Sequence, residues 1–378
     1  MSWPGTVRMG ADGASLEVLD QRLLPYAVRW LVLRTADDVR AAITDMVVRG
    51  AGLIGNVAAY GVWLAALEIF NEAGGTAFSS MTDFSAAVRR AAHGIKTARP
   101  TAGNLAWAVD KQLAAMEAAA GEQEALFILR GSADELARSE ADACRLIGVQ
   151  GKPLIEALSR SDRAVNILTH CNAGKLAFVD WGSALAPVYA AHEAGIPLHV
   201  WVDETRPRNQ GARLTAWELA VNGVPHTLIA DNAGGHLMRR GLVDMVIVGA
   251  DRVTRRGDVA NKIGTYLKAL AARANNVPFY AALPASTFDL TLTSGDDIPI
   301  EERGGEEVRL ISGETAEGEI TEILICPEAT LARNWAFDVT PAELVTGLVC
   351  ECGVCRADES AIAALLGKGK SDSREVKQ

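Results

Sequence analysis

Four short polar clusters each follow an apolar run between residues 164 and 252: His170-Cys171-Asn172, Asp203-Glu204-Thr205-Arg206, Asp231-Asn232 and Asp251-Arg252. Cys171 offers a thiol. It precedes Asn172-Ala173-Gly174, a turn able to start a helix, and a helix N-terminus favours the thiolate, which serves as base or nucleophile. A lone cysteine is more often a small buried side chain, but the flanking His170 and Asn172 at a strand end favour the reactive reading. Asp251, in Gly249-Ala250-Asp251-Arg252, offers a carboxyl. At the mouth of an apolar strand such a group can keep its proton and act as a general acid. A helix cap or an ion pair with Arg252 explains it equally well.

Anion-binding chemistry is offered elsewhere. Asn261-Lys262-Ile263-Gly264-Thr265 reads as the opening of a helix, whose backbone amides and lysine make an anion seat. Arg49-Gly50-Ala51 with Gly55, and Arg99-Pro100-Thr101, can supply the other side of a phosphate clamp, although a lone arginine usually ends on the solvated surface. Arg206, Arg208 and Arg213 read mainly as an ion-pair network behind Asp203-Glu204. Gln210, uncharged, is the better candidate for a hydroxyl contact. Cys350, Cys352 and Cys355 crowd into six residues, but a zinc site needs a fourth ligand and no second Cys or His pair is near in sequence. They read as ordinary thiols, so no metal and no organic cofactor are expected. The chain carries no G-x-x-x-x-G-K-[ST], no G-x-G-x-x-G after a strand and no G-x-S-x-G, which disfavours nucleotide kinases, dinucleotide-dependent dehydrogenases and serine hydrolases.

Two kinds of element must position these groups. A β-like opening at Leu16–Leu19 and Ala27–Leu33 is followed by Ala-rich helical runs at Ala41–Val48, Val57–Phe70, Phe84–Lys96 and Asn104–Ala120. Later, buried-strand runs recur at Ala164–Thr169, Leu198–Val202, His226–Ala230, Met245–Val248 and Pro278–Ala282. Helical segments lie between them at Ser183–Ala194, Ala212–Asn222, Gly235–Gly241 and Thr265–Asn275. This alternation predicts right-handed βαβ units and a parallel sheet. The fold class is therefore α/β: a mostly helical domain over 1–140, a parallel-sheet domain over 141–366 and a disordered tail over 367–378, with the boundary between Gly131 and Gly151. Ligands of open parallel sheets bind beyond the carboxyl ends of the strands, where all four polar clusters fall.

Composition sets outer limits. At 378 residues the chain suits about two domains. Apolar residues at 49% and charged residues at 22% fit a soluble globular protein, and a net charge of -10 disfavours nucleic acid as a partner. No run of about 18 uninterrupted apolar residues suggests a membrane span. The N-terminus lacks a basic segment followed by an apolar one, so a cytoplasmic location with reduced cysteines is expected.

The ordered motifs identify a resemblance. Arg49-Gly50-Ala51 through Gly55, Thr169-His170-Cys171-Asn172, Asp203 to Pro207, Gln210 to Thr215, Gly249 to Arg252, Ala260 to Tyr266 and Ile298 to Arg303 look like the 5-methylthioribose-1-phosphate isomerases over about Leu19 to Gly353. The resemblance implies a helical N-terminal domain and a Rossmann-like C-terminal domain, a fold the family shares with ribose-1,5-bisphosphate isomerase and with regulatory subunits of the translation-initiation nucleotide-exchange factor. The resemblance implies Cys171 and Asp251 as the catalytic pair. It implies substrate contacts from Arg49, Gly50, Ala51, Arg99, Gln210, Asn261 and Lys262, a sugar phosphate as the small-molecule partner, no cofactor and a homodimer. Gly52-Leu53 replaces the family's usual Pro-Ala, and Lys175 and Trp181 depart as well. These departures leave the C5 substituent open, with 5-deoxyribose 1-phosphate as the alternative substrate. A non-catalytic sensing subunit is the alternative of a different class.

Overall fold

The computed structural model describes residues 3–74, 80–99 and 103–375. Contacts divide the chain into an N-terminal unit, Pro4–Asp142 with Lys175–Asp180, and a C-terminal unit, Met1–Trp3, Ala143–Gly174 and Trp181–Gln378.

The N-terminal unit opens with an antiparallel sheet of β1 (Val7–Met9), β2 (Leu16–Leu19) and β3 (Trp30–Leu33). Thr35 and Asp38 form a capping box at α1 (Ala36–Thr44), which satisfies amides that the first helical turn leaves open. The centre is α2 (Ala51–Glu72), buried from Gly52 to Ala66 and surrounded by α1, α3 (Met81–Lys96) and α4 (Gly103–Met116). By length and composition α2 could cross a membrane, but 78% of its most apolar window is buried as the core of this unit. Phe84, Val88, Ile95, Leu105 and Val109 complete that core, each fully buried side chain contributing about 1.5–3 kcal/mol.

A 35-residue helix, α5 (Glu122–Glu156), runs straight through the segment where the domain boundary was expected. Gly148 and Gly151 in this helix are there for closeness. A Cβ on Gly148 would lie 2.9 Å from Ala186 O, and one on Gly151 would lie 2.4 Å from Pro187 Cγ. The division between units falls inside this helix, and six residues beyond it, Lys175–Asp180, group with the N-terminal unit.

The C-terminal unit is built on seven strands: β4 (Val165–Thr169), β5 (Leu198–Asp203), β6 (His226–Ile229), β7 (Met245–Val248), β10 (Phe279–Ala282), β17 (Gly347–Cys350) and β18 (Gly353–Cys355). Their order is β18-β17-β10-β7-β4-β5-β6, parallel except for β18. The crossovers run through α6 (Ala186–Glu193), α7 (Ala216–Val221, entered by a π-turn over Gly211–Thr215), α8 (Gly234–Arg239) and α9 (Thr265–Ala274). A second sheet of order β11-β8-β9-β16 comprises β8 (Arg252–Thr254), β9 (Val259–Lys262), β11 (Phe288–Asp289) and β16 (Phe337–Thr340). Small ribbons pair β12 (Glu302–Arg303) with β15 (Asn334–Trp335), and β13 (Leu310–Glu314) with β14 (Ile320–Leu324). A single helical turn, α10 (Glu306–Arg309), precedes β13. The last helix, α11 (Glu359–Glu375), continues into the tail that read as disordered, and residues 376–378 lie outside the described ones.

Successive strands β4, β5 and β6 extend the seven-stranded sheet in one direction, while β7, β10 and β17 extend it in the other. The reversal lies between β4 and β7. At such a point the connections leave on opposite faces and open a crevice at the strand ends. Cys171 follows β4, and Asp251 follows β7.

Candidate active site

At the β4 end the backbone is held in an unusual shape. Cys171 has φ +63° and Thr205, after β5, has φ +64°. Positive φ is costly for any residue with a Cβ, and most so for a β-branched one. The two residues compensate each other, since Cys171 N–H donates to Thr205 Oγ1 at 2.8 Å. Thr215 Oγ1 donates to Cys171 O at 2.6 Å, while Asp231 accepts from the backbone amides of Thr205 and Arg206, both at 2.7 Å. Cys171 itself is half-buried. The helix expected directly after it is absent; a three-residue turn, Lys175–Ala177, follows instead, and α6 begins only at Ala186.

Beneath the thiol lies a polar core. Asn172 Nδ2 donates to Thr215 Oγ1 and to Glu218 Oε2, each at 3.1 Å, and Tyr189 OH donates to Glu218 Oε1 at 2.5 Å. Both ring nitrogens of His170 face acceptors: Asp203 Oδ2 at 2.9 Å and Ile263 O at 2.8 Å. Lys268 Nζ stands 3.0 Å from Asp203 Oδ2 and also donates to Asp231 O. Asp203 is fully buried, so this ammonium is what makes its charge tolerable. His170, Asp203 and Asp231 bring ligand atoms within 4.8 Å of one another, a set that could hold a metal ion. Lys268 already supplies the cation to that cluster, which makes it an ion-pair network by its donor set.

The β7 end approaches β4 closely. A Cβ on Gly249 would come within 2.5 Å of Ala173 Cβ, so glycine is required by the crossing. Asp251 is exposed, and its amide donates to Ala260 O at 2.9 Å. Arg252 pairs with Asp289 at 3.3 Å. The antiparallel pairing of β8 with β9, Arg252 opposite Ala260, sets Asn261 and Lys262 beside the Asp251 end.

Asn261 and Lys262 were read as the opening of a helix, but they close β9, and α9 starts at Thr265 behind Gly264, whose φ is +101°. The anion seat at that helix is already filled. Asp338 accepts from Gly264 N at 2.7 Å and Tyr266 N at 3.2 Å, and burial raises its carboxyl above the usual range. A ligand's phosphate therefore has no claim on those two amides. Both candidate side chains are buried: Asn261 Nδ2 donates to Thr265 Oγ1 at 3.0 Å, and Lys262 Nζ donates to Ala336 O at 2.9 Å while lying 4.6 Å from the Phe337 ring centroid.

Gln210 is 7% exposed, and its Oε1 has no partner among the described residues. A buried amide oxygen without a donor costs stability, and a substrate hydroxyl would satisfy it. Arg208 pairs with Glu307 at 2.6 Å, whereas Arg206 donates to the carbonyls of Pro207 and Val308. In the N-terminal unit, Arg49 precedes α2, Gly50 is its N-cap at φ +92° and Ala51 its first residue. Arg99 follows α3; Pro100 and Thr101 lie outside the described residues. Thus Cys171, Asp251, Gln210, Asn261 and Lys262 share the C-terminal unit, and Arg49, Gly50, Ala51 and Arg99 belong to the other.

Lys268, Glu218 and Asp338 were not legible as site residues. Lys268 looks like any lysine on an amphipathic helix, and Asp338 lies 74 positions from the amide that it caps. The run Asp203-Glu204-Thr205 carried the one usable signal, a charge at the end of an apolar strand.

A model of the initiation factor 2 subunit family matches residues 47–357. A methylthioribose-1-phosphate isomerase from Desulfosudis oleivorans is 53% identical over 94% of each chain. A crystal structure of 5-methylthioribose 1-phosphate isomerase from Pyrococcus horikoshii superposes with a TM-score of 0.82 at 36% identity, covering 97% of this chain and 96% of its own. The structure of translation initiation factor eIF-2B, subunit delta, from A. fulgidus superposes with a TM-score of 0.79 at 36% identity, covering 96% and 99%.

Proposed function

The chain belongs to the methylthioribose-1-phosphate isomerase branch of the initiation factor 2 subunit family, and we propose that it converts 5-methylthioribose 1-phosphate into 5-methylthioribulose 1-phosphate. It is an aldose–ketose isomerase acting on a sugar phosphate, in methionine salvage. The observation that supports the assignment most is the sheet reversal between β4 and β7, which sends a thiol and a carboxyl from neighbouring strand ends.

The chemistry needs such a pair. Phosphate on the anomeric oxygen prevents spontaneous ring opening, so an acid must protonate the ring oxygen. Asp251 has the exposure to reach a ligand. Hydrogen must then move from C2 to C1, and Cys171 is the group proposed to carry it as a proton through an enol. Gln210, Asn261 and Lys262 are proposed to bind hydroxyl and phosphate oxygens; Arg49, Gly50, Ala51 and Arg99 are proposed as further substrate contacts on the family resemblance.

Phosphorus NMR of 5-methylthioribose 1-phosphate, with Cys171→Ala as control, tests the reading directly. Ketose phosphate should form with the wild type and not with the variant. Deuterium at C1 after turnover in deuterium oxide would exclude a pure hydride shift, the other route by which hydrogen can pass from C2 to C1. Faster turnover of 5-deoxyribose 1-phosphate would change the substrate and keep the reaction. The likeness to an initiation factor subunit favours a second reading, a sensing subunit; binding of the sugar phosphate without turnover would select it. A cytoplasmic homodimer is part of the proposal, and a single-chain mass by light scattering would remove the dimer.

A further inference from the structure

Glu140, on α5, is a buried carboxyl that the reaction does not use. Its Oε2 accepts from Asn56 Nδ2 of α2 at 2.7 Å and from Val179 N of the Lys175–Asp180 segment at 3.3 Å. Its Oε1 occupies the space beside Gly52, where a Cβ would come within 2.3 Å of it and within 2.4 Å of the Phe178 ring. The stem keeps the residue as a whole only half-buried, but the carboxyl is enclosed. Gly52, a departure from the family's usual proline, is therefore what admits both the acid and the ring.

No cation compensates this group among the described residues. On the neighbouring segment, Lys175 pairs with Asp180 at 3.6 Å. One turn along the α2–α5 contact, Asp134 takes Tyr60 OH at 2.8 Å and Arg130 at 3.0 Å. Asn56 Oδ1 is buried without a partner among the described residues, so the enclosure holds an acceptor lacking a donor rather than a charge partner. Burial without compensation favours the neutral acid and moves Glu140 up to about 8.

The same contact sets the start of α2. A Cβ on Gly50 would lie 2.5 Å from Ala177 O, so the helix begins pressed against the Lys175–Asp180 segment. Thr6 Oγ1 and Gln21 Nε2 tie that segment from elsewhere through the carbonyls of Phe178 and Leu176, at 2.9 Å and 2.7 Å. Glu140 joins the segment, α5 and α2 at once, and it is the member of this set that titrates. We propose that Glu140 is a positioning residue, holding the first turns of α2 as a neutral acid so that Arg49, Gly50 and Ala51 can bind substrate, and releasing them when it ionises. This rests on the reading that those three residues contact the sugar phosphate.

Initial rates from about pH 6.5 to about pH 9.5 for the wild type, Glu140→Gln and Glu140→Ala test it. If the neutral form alone is competent, a group titrating at about 8 raises the wild-type KM about tenfold by about pH 9. Glu140→Gln, which keeps shape and cannot ionise, should show no such rise and stay within about twofold of the wild type near neutrality. Glu140→Ala should raise KM at every pH with kcat retained. An alkaline KM rise in Glu140→Gln equal to the wild type's, or an unchanged KM in Glu140→Ala, would overturn the proposal. If Glu140→Ala does not fold, the glutamine variant decides alone. Should the wild type turn over no sugar phosphate, the isomerase reading fails instead. Hydrogen exchange then reads the switch: amides of the first α2 turns should lose protection above about pH 8 in the wild type only, and equal protection in both proteins would overturn it.

Discussion

Replacing Lys268 by methionine should uncover how much of the C-terminal unit depends on one ammonium. Lys268 is 4% exposed and Asp203 0% exposed, so their 3.0 Å contact is screened little by solvent. Removing one partner of such a pair leaves a buried charge and costs about 3–5 kcal/mol. His170 still holds Asp203 Oδ2, which argues for the lower end, about 3 kcal/mol. At about 2–4 °C per kcal/mol, the unfolding temperature should fall by about 6–12 °C. Calorimetry of the full chain reads this, following whichever transition moves, because two units need not melt together. Asp203→Asn supplies the second arm of a cycle: the double variant should lose at least about 1 kcal/mol less than the two singles combined. A Lys268→Met protein within about 1 kcal/mol of the wild type, or strict additivity, would refute the view that this lysine neutralises the acid.

Three further outcomes follow from close contacts and titration. Gly211→Ala should cost more than about 3 kcal/mol, because its Cβ would fall 1.6 Å from Asp203 O; wild-type stability by urea unfolding would show that the π-turn can shift. Thr205→Val keeps shape but removes the acceptor of Cys171 N–H; kcat should fall with stability reduced by about 1–3 kcal/mol, and unchanged kinetics would detach this contact from the reaction. Glu140 gives a pH slope. Its native value of about 8 exceeds the ordinary 4.5, so its stabilising effect is complete below the ordinary value and is lost as pH rises through about 8. That displacement is worth at most about 5 kcal/mol, and water at the half-buried stem should reduce it. Above about pH 8, Glu140→Gln should therefore melt higher than the wild type, and parallel melting curves across pH would contradict the burial account.

Periodicity and strand-end chemistry were local signals, and they carried far. The five parallel strands expected from Ala164 to Ala282 appear within a residue or two of their predicted limits, because each is a short apolar run bounded by turn residues. Cys171 and Asp251 stood out for the same reason: a reactive side chain directly after a buried run must emerge at the sheet edge. The boundary expected between Gly131 and Gly151 coincides with the division after Asp142, but it lies inside a helix, where Gly148 and Gly151 serve interhelical closeness, a property of the facing residues Ala186 and Pro187. Asn261 and Lys262 misled, because the amides behind them are claimed by Asp338, a partner that only the β9–β16 pairing brings near. By itself the sequence determined the five parallel strands from Ala164 to Ala282 and which side chains stand at their ends, since both depend on neighbours along the chain. The tertiary structure alone decided the strand order that sets β4 beside β7, the lysine that neutralises Asp203 and the glycine that makes room for Glu140. Those depend on which distant surfaces come within a few ångströms, where burial turns an ordinary charge into one that must be paired or neutralised.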